Sequence, residues 1–152
     1  MKKFILNLII FIFITNCGYA PLYGLKDSVN FKIGKINITG DRELNQNIIN
    51  QLKNLKTKKG SNAIKYNLTI KTRIEKIVTS KDSKGNPKTY KMISSANLTT
   101  AKDGKVYNLG VESVENYNDI SSKFELESFE RNLKKNSASK ITQEIIVYLI
   151  TL

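Results

Sequence analysis

Apolar residues recur at every second position from Phe31 to Thr39: Phe31 and Ile33, then Ile36 and Ile38 after a shift of one residue. Alternation of this kind sends successive side chains to opposite faces, so it predicts a strand near 32–39 with Gly34 weakening it or marking a bulge. Leu44, Ile48, Leu52 and Leu55 follow at spacings of four, four and three, with Ile49 widening the stripe. That spacing is one face of a helix and predicts a helix over 42–57. Asp41 is its N-cap, Lys53, Lys56, Lys58 and Lys59 favour the carboxyl end of its dipole, and Gly60 stops it.

Period two then returns. Ile64, Tyr66, Leu68, Ile70 and Ile74 share one face over 64–78, with Thr72 among them, and Lys65, Asn67, Thr69, Lys71, Arg73 and Glu75 take the other. Lys81 to Lys88 contains Asp82, Gly85 and Pro87 and reads as a turn. A strand over 88–100 puts Tyr90, Met92, Ala96 and Leu98 on one face. Lys102-Asp103-Gly104-Lys105 is a hairpin signal, because Asp-Gly suits a turn that needs positive φ. The next strand, over 106–117, aligns Tyr107, Leu109 and Val111; Val114 is out of phase, which predicts a second bulge.

The last segment, 122–150, is helical. Ser122 and Glu125 have capping-box spacing, and Phe129, Leu133, Ser137, Ile141, Ile145 and Leu149 recur every four residues. The stripe thins between Lys134 and Ser139, which predicts two helical pieces. An amphipathic helix can lie on a membrane surface or on a core. Here the apolar face of the strands gives it a home. The order strand, helix, three strands, helix predicts an α+β fold: a two-layer sandwich with two helices on one face of a four-stranded mixed sheet.

The beginning of the chain has a different character. Lys2 and Lys3 precede an apolar run from Phe4 to Ile14, broken by Asn7. The run is shorter than the ~20 residues a spanning helix needs, and matches the apolar core of an export signal. Ile14-Thr15-Asn16-Cys17 resembles a lipobox, the bacterial lipoprotein processing site, in which the Cys thiol receives a diacylglyceryl group and becomes the new amino terminus. Ile14 and Asn16 stand where that pattern favours Leu and a small residue. Cys17 is the only Cys of the chain. This divides the protein into a leader (1–16), a lipidated tether (17–30) and a single domain (31–152). Two or more acyl chains hold a protein durably on a bilayer. Gly18 rather than Asp after the Cys points to the outer membrane, with the domain facing the periplasm.

Composition limits the chemistry. The chain of 152 residues has no His and no Trp, so His-based acid–base catalysis and His-containing zinc motifs are excluded. One Cys excludes a disulfide framework within the chain and Cys-cluster metal sites. Glu112 with Glu115, or Glu125 with Glu130, could form a carboxylate pair, but no nucleophile or phosphate-cradling loop accompanies either. No catalytic residue, metal ligand or cofactor is assigned beyond the covalent lipid on Cys17. The formal charge of +12 draws anions, yet 22 of the 25 basic residues are Lys within a chain also rich in Asn and Ile. This looks like a bias of the whole sequence, and no nucleic-acid partner is expected.

Cys17-Gly18-Tyr19-Ala20-Pro21-Leu22-Tyr23-Gly24 resembles the mature start of the alphaproteobacterial LPS-assembly lipoprotein family, LptE, where Cys-Gly-aromatic is followed by Pro-Leu-Tyr. The order of predicted elements is similar too. The resemblance implies a role without a reaction: a lipoprotein that plugs and supports the outer-membrane β-barrel LptD, binds lipopolysaccharide and assists its assembly at the cell surface. Under it, Lys65, Lys71, Arg73 and Lys91 on the polar face of the strands are candidate lipopolysaccharide contacts, since lysine and arginine pair with phosphates through charge-assisted bonds. Tyr19, Pro21, Leu22 and Tyr23 are candidates for seating the tether on the barrel or bilayer. The alternative is a generic outer-membrane lipoprotein adaptor for another envelope complex.

Overall fold

The computed structural model describes residues 29–55 and 63–152. Its elements are β1 (Phe31–Thr39), α1 (Arg42–Lys53), β2 (Ile64–Lys81), β3 (Pro87–Lys102), β4 (Lys105–Asn118) and α2 (Lys123–Thr151). The four strands form one sheet in the order β1-β2-β3-β4. β1 and β2 are parallel and joined through α1; the other two pairs are antiparallel. Both helices pack on one face, which makes the expected two-layer α+β sandwich.

The first strand carries the bulge that its pattern implies. Ile33 pairs with Tyr66 but Ile36 with Leu68, so β1 holds one extra residue. The Asn67 side chain occupies the gap and accepts a hydrogen bond from Lys35 N–H at 3.0 Å. A Cβ on Gly34 would lie 2.5 Å from that Asn67 oxygen, so glycine is the residue that lets the bulge close. The strand then turns at Gly40, with φ +114°, into α1. Asp41 caps the helix by accepting from Leu44 N–H at 2.9 Å.

α1 ends at Lys53, with Asn54 as C-cap, rather than at 57. Leu52 is its last buried position, and Leu55 N–H turns back to the Leu52 carbonyl instead of continuing the ladder. Lys56, Lys58, Lys59 and Gly60, read as its charged end and stop, lie outside the described residues.

α2 is one continuous helix of 29 residues, not two pieces. Ser122 caps it by accepting from Glu125 N–H. The apolar stripe thins because α2 meets α1 there: Lys134 pairs with Glu43 at 3.0 Å, and Gln51 donates to Ser139 at 3.2 Å. Fully buried Ser137 and Ala138 occupy that stretch of α2. Small residues allow close packing without breaking the backbone ladder, so a gap in hydrophobicity was not a gap in the helix.

The core lies between the layers in two parts. The larger joins Val29, Phe31, Leu44, Ile48, Tyr66, Leu68, Ile70, Leu98, Ile141 and Ile145, among others. The smaller consists of Tyr90, Met92 and Tyr117, with Ile74, Leu126 and Leu133 against it. Tyr90 and Tyr117 stack at 5.4 Å, and Phe129 tilts onto Tyr117 at 5.8 Å. Ile64, read as core, is 43% exposed at the start of β2. The hydroxyls of Ser94 and Ser137 are buried and have no hydrogen-bond partner among the described residues.

Candidate functional site

The helices leave the opposite sheet face uncovered. In β2, Tyr66, Leu68, Ile70 and Thr72 are buried under the helices, so Lys65, Lys71 and Arg73 point the other way and are exposed. Strand pairing places half-buried Lys91 on this face as well, between Ile77 of β2 and Asn116 of β4. The structure does not gather the four residues into one site. Lys71 and Arg73 are neighbours, whereas Lys65 lies six residues back along β2, about 20 Å away. Lys91 sits four residues beyond Arg73, a further ~13 Å. Arg73 is already engaged by Glu75, at 2.5 Å. Lys32 stands beside Lys65 on β1 and extends the basic row at that end.

The outer face also carries an apolar stripe that the sequence reading missed. Ile93 of β3 pairs with Val114 of β4 and with Glu75 of β2, and Ile77 is the next outward residue along β2. Val114 and Ile77 are 47% and 42% exposed. The β3–β4 register runs unbroken from Lys102↔Lys105 to Thr89↔Asn118, so Val114 marks no bulge. It is out of phase because it faces outward. That phase break was the signal for this patch. Around the stripe the face is mostly polar: Asn37, Thr69, Asn97, Thr99, Asn108 and Asn116.

The paired-carboxylate readings do not converge. Glu112 faces outward opposite Ser95, whereas Glu115 lies on the helix side and pairs with Lys140. Glu125 and Glu130 are five residues apart on α2, which turns them about 140° from one another. Glu130 instead accepts from the Tyr117 hydroxyl at 2.7 Å and pairs with Lys76 at 2.6 Å. Lys76 also stands 4.1 Å over the Tyr90 ring. Burial, reinforced by the carboxylate of Glu130, pushes the Tyr117 hydroxyl above its ordinary pKa. Among the described residues no group of three or more Cys, Asp and Glu side chains is placed to hold a metal ion.

A cleft of about 550 Å³ opens between β1 and α1, lined by Phe31, Ile33, Ile36, Ile49, Leu52 and Leu55, with Lys32 and Lys53 on its walls. Cys17, Tyr19, Pro21, Leu22 and Tyr23 lie outside the described residues.

No protein-family model matches the chain, and no curated protein matches it in sequence. Solved structures do match its fold. The rare lipoprotein B of Shewanella oneidensis aligns with a TM-score of 0.55 and 18% identity, covering 78% of this chain and 98% of that one. A lipoprotein B of Nitrosomonas europaea aligns with a TM-score of 0.56 and 11% identity, covering 82% of this chain and 87% of that one. The chain thus has a distant structural relationship to these lipoproteins, one of fold.

Proposed function

We propose that this protein is a lipid-anchored binding protein of the outer membrane, held through Cys17, whose uncovered sheet face docks a partner of the cell envelope. The observation that carries this reading is the stripe of Ile77, Ile93 and Val114 in the middle of a face that no helix among the described residues covers. Apolar residues set within a polar surface are the composition of a protein–protein contact. A lipobox-like sequence at Cys17 and a fold shared with two solved lipoproteins support the location. Tethering would raise the local concentration of the domain near an integral partner, so modest contacts suffice.

The Cys-Gly-Tyr-Ala-Pro-Leu-Tyr start makes the finer version of this reading an LptD-like barrel, with the domain as its plug and lipopolysaccharide as cargo. In that version Tyr19, Pro21, Leu22 and Tyr23 seat the tether, and Lys71 with Arg73 is the one adjacent pair of the four basic candidates, with Arg73 having to exchange Glu75 for a phosphate. Affinity capture of the native protein from solubilised membranes, with mass analysis of protein and lipid, tests both levels. A large outer-membrane barrel supports the finer version. Another envelope protein supports the adaptor alone. Recovery without any envelope partner contradicts both.

A further inference from the structure

The topology gathers one set of exposed residues at a single end of the domain. β1 and β2 are parallel and start together, with Phe31 opposite Ile64. β3 runs back antiparallel, so the β3–β4 turn, Lys102 to Lys105, reaches the same end. The end of α2 is fixed there as well: Lys102 Nζ donates to the Leu152 carbonyl, and the Tyr148 hydroxyl donates to the Asn108 carbonyl at 3.1 Å. Val29 is buried at this end, so residues 1–28, with Cys17 among them, join the domain here.

Among the described residues four apolar side chains are exposed at this end: Ile64 (43%), Val106 (65%), Val147 (41%) and Ile150 (46%). The described residues around them include Lys32, Lys53, Lys65, Lys102 and Lys105, against Asp103 as the one acidic side chain, with Lys102 already bound to the Leu152 oxygen; Glu144 stands one turn further back on α2. At the opposite end Lys81, Lys84, Lys88 and Lys123 are balanced by Asp82, Asp119, Glu125 and Glu127. The two ends therefore differ in charge, and the unbalanced one is where the chain enters from Cys17. Cys17 lies twelve residues before Val29, so the intervening chain reaches at most about 40 Å.

We infer that this end of the domain rests on the bilayer that holds the tether, with Val106, Val147 and Ile150 in the interface and the lysines on anionic lipid headgroups. The inference rests on the lipid-anchor reading. Shallow apolar side chains ringed by lysine are what an interfacial surface requires: the first enter the headgroup region, and the second pair with lipid phosphates while their stems lie along apolar surface. The contact crosses the strand ends, so it leaves the outer sheet face free for a protein partner.

The chain contains no Trp, which permits single-tryptophan probes. The full lipidated protein, carrying Val106→Trp, Ile150→Trp or Phe124→Trp, is reconstituted into phosphatidylcholine–phosphatidylglycerol vesicles with brominated acyl chains. Phe124, 74% exposed at the start of α2, reports the far end. The Val106 and Ile150 probes should lose most of their fluorescence and shift to the blue, and the Phe124 probe should keep its intensity. Adding Lys102→Glu with Lys105→Glu should restore the Val106 signal while the protein still floats with the vesicles. Equal quenching at both ends, or quenching at Phe124 alone, overturns the inference and leaves the anchor standing. A chain that does not float overturns both. A chain that intact mass shows to be unlipidated has no tether and overturns both.

Discussion

Ile93 and Val114 stand directly opposite each other on β3 and β4, on the sheet face that neither helix covers. Neither is needed for the core. Replacing both with Asn should therefore leave folding stability within about 1 kcal/mol of the parent, because partly exposed positions contribute little. The same change should strip the envelope partner from the captured protein. Thermal unfolding and affinity capture on the same preparation check the two halves; a double variant that keeps its partner counts against this face as the docking surface.

A second prediction concerns the turn before α1. A Cβ on Gly40 would lie 1.9 Å from the Thr72 carbonyl oxygen, at a φ that side chains resist. Thr72 in turn donates to Asn45 of α1 at 2.5 Å, so the backbone there has no room to yield. Gly40→Ala should cost about 2–4 kcal/mol in denaturant unfolding. Gly85→Ala, also at positive φ but with open space around it, should cost only about 1 kcal/mol. Equal losses would mean that dihedral strain alone, without the Thr72 contact, sets the requirement at position 40.

Tyr117 gives the domain an alkaline sensitivity. Its pKa is raised in the folded state above the ordinary 10.0, first by burial and then by the bond to Glu130. The folded protein therefore holds this proton more tightly than the unfolded chain. The resulting stability is complete below pH ~10 and declines as pH rises above it, because the unfolded chain begins to lose the proton first. Unfolding midpoints of the parent and Tyr117→Phe, measured from pH 8 to 11, should converge at the alkaline end. At neutral pH the variant should be weaker by about 1 kcal/mol for the lost hydrogen bond. A constant gap across the range would contradict the linkage.

Ser94 and Ser137 carry buried hydroxyls without a partner among the described residues. Removing an unpaired buried hydroxyl breaks no hydrogen bond and relieves its desolvation penalty in the folded state. Ser94→Ala and Ser137→Ala should each leave stability within about 0.5 kcal/mol or raise it. A loss well beyond that in either variant would show that the hydroxyl contributes a bond the fold needs.

Much of the architecture was legible in local pattern. The residue shift between Ile33 and Ile36 announced the β1 bulge, Asp41 and Ser122 announced their helices, and Asp103-Gly104 announced the hairpin. Two of the misreadings share a cause: each took a break in one face's pattern as a break in the element. Ser137 and Ala138 thin the stripe of α2 because another helix packs there, and Val114 leaves the phase of β4 because it belongs to the other face. Contacts between elements decide both, and no window on one segment contains them. The basic candidates were placed on the correct face by parity alone. Parity carries no distance, so it could not show that Lys65 and Lys91 lie far from Lys71 and Arg73.

Intact-mass measurement of the native protein, after separation of cytosol, inner membrane and outer membrane, tests the central claim most directly. The account predicts a chain that begins at Cys17, bears fatty acyl groups on that residue and travels with the outer membrane. A chain that keeps residues 1–16, carries no lipid and remains with the cytosol would contradict it.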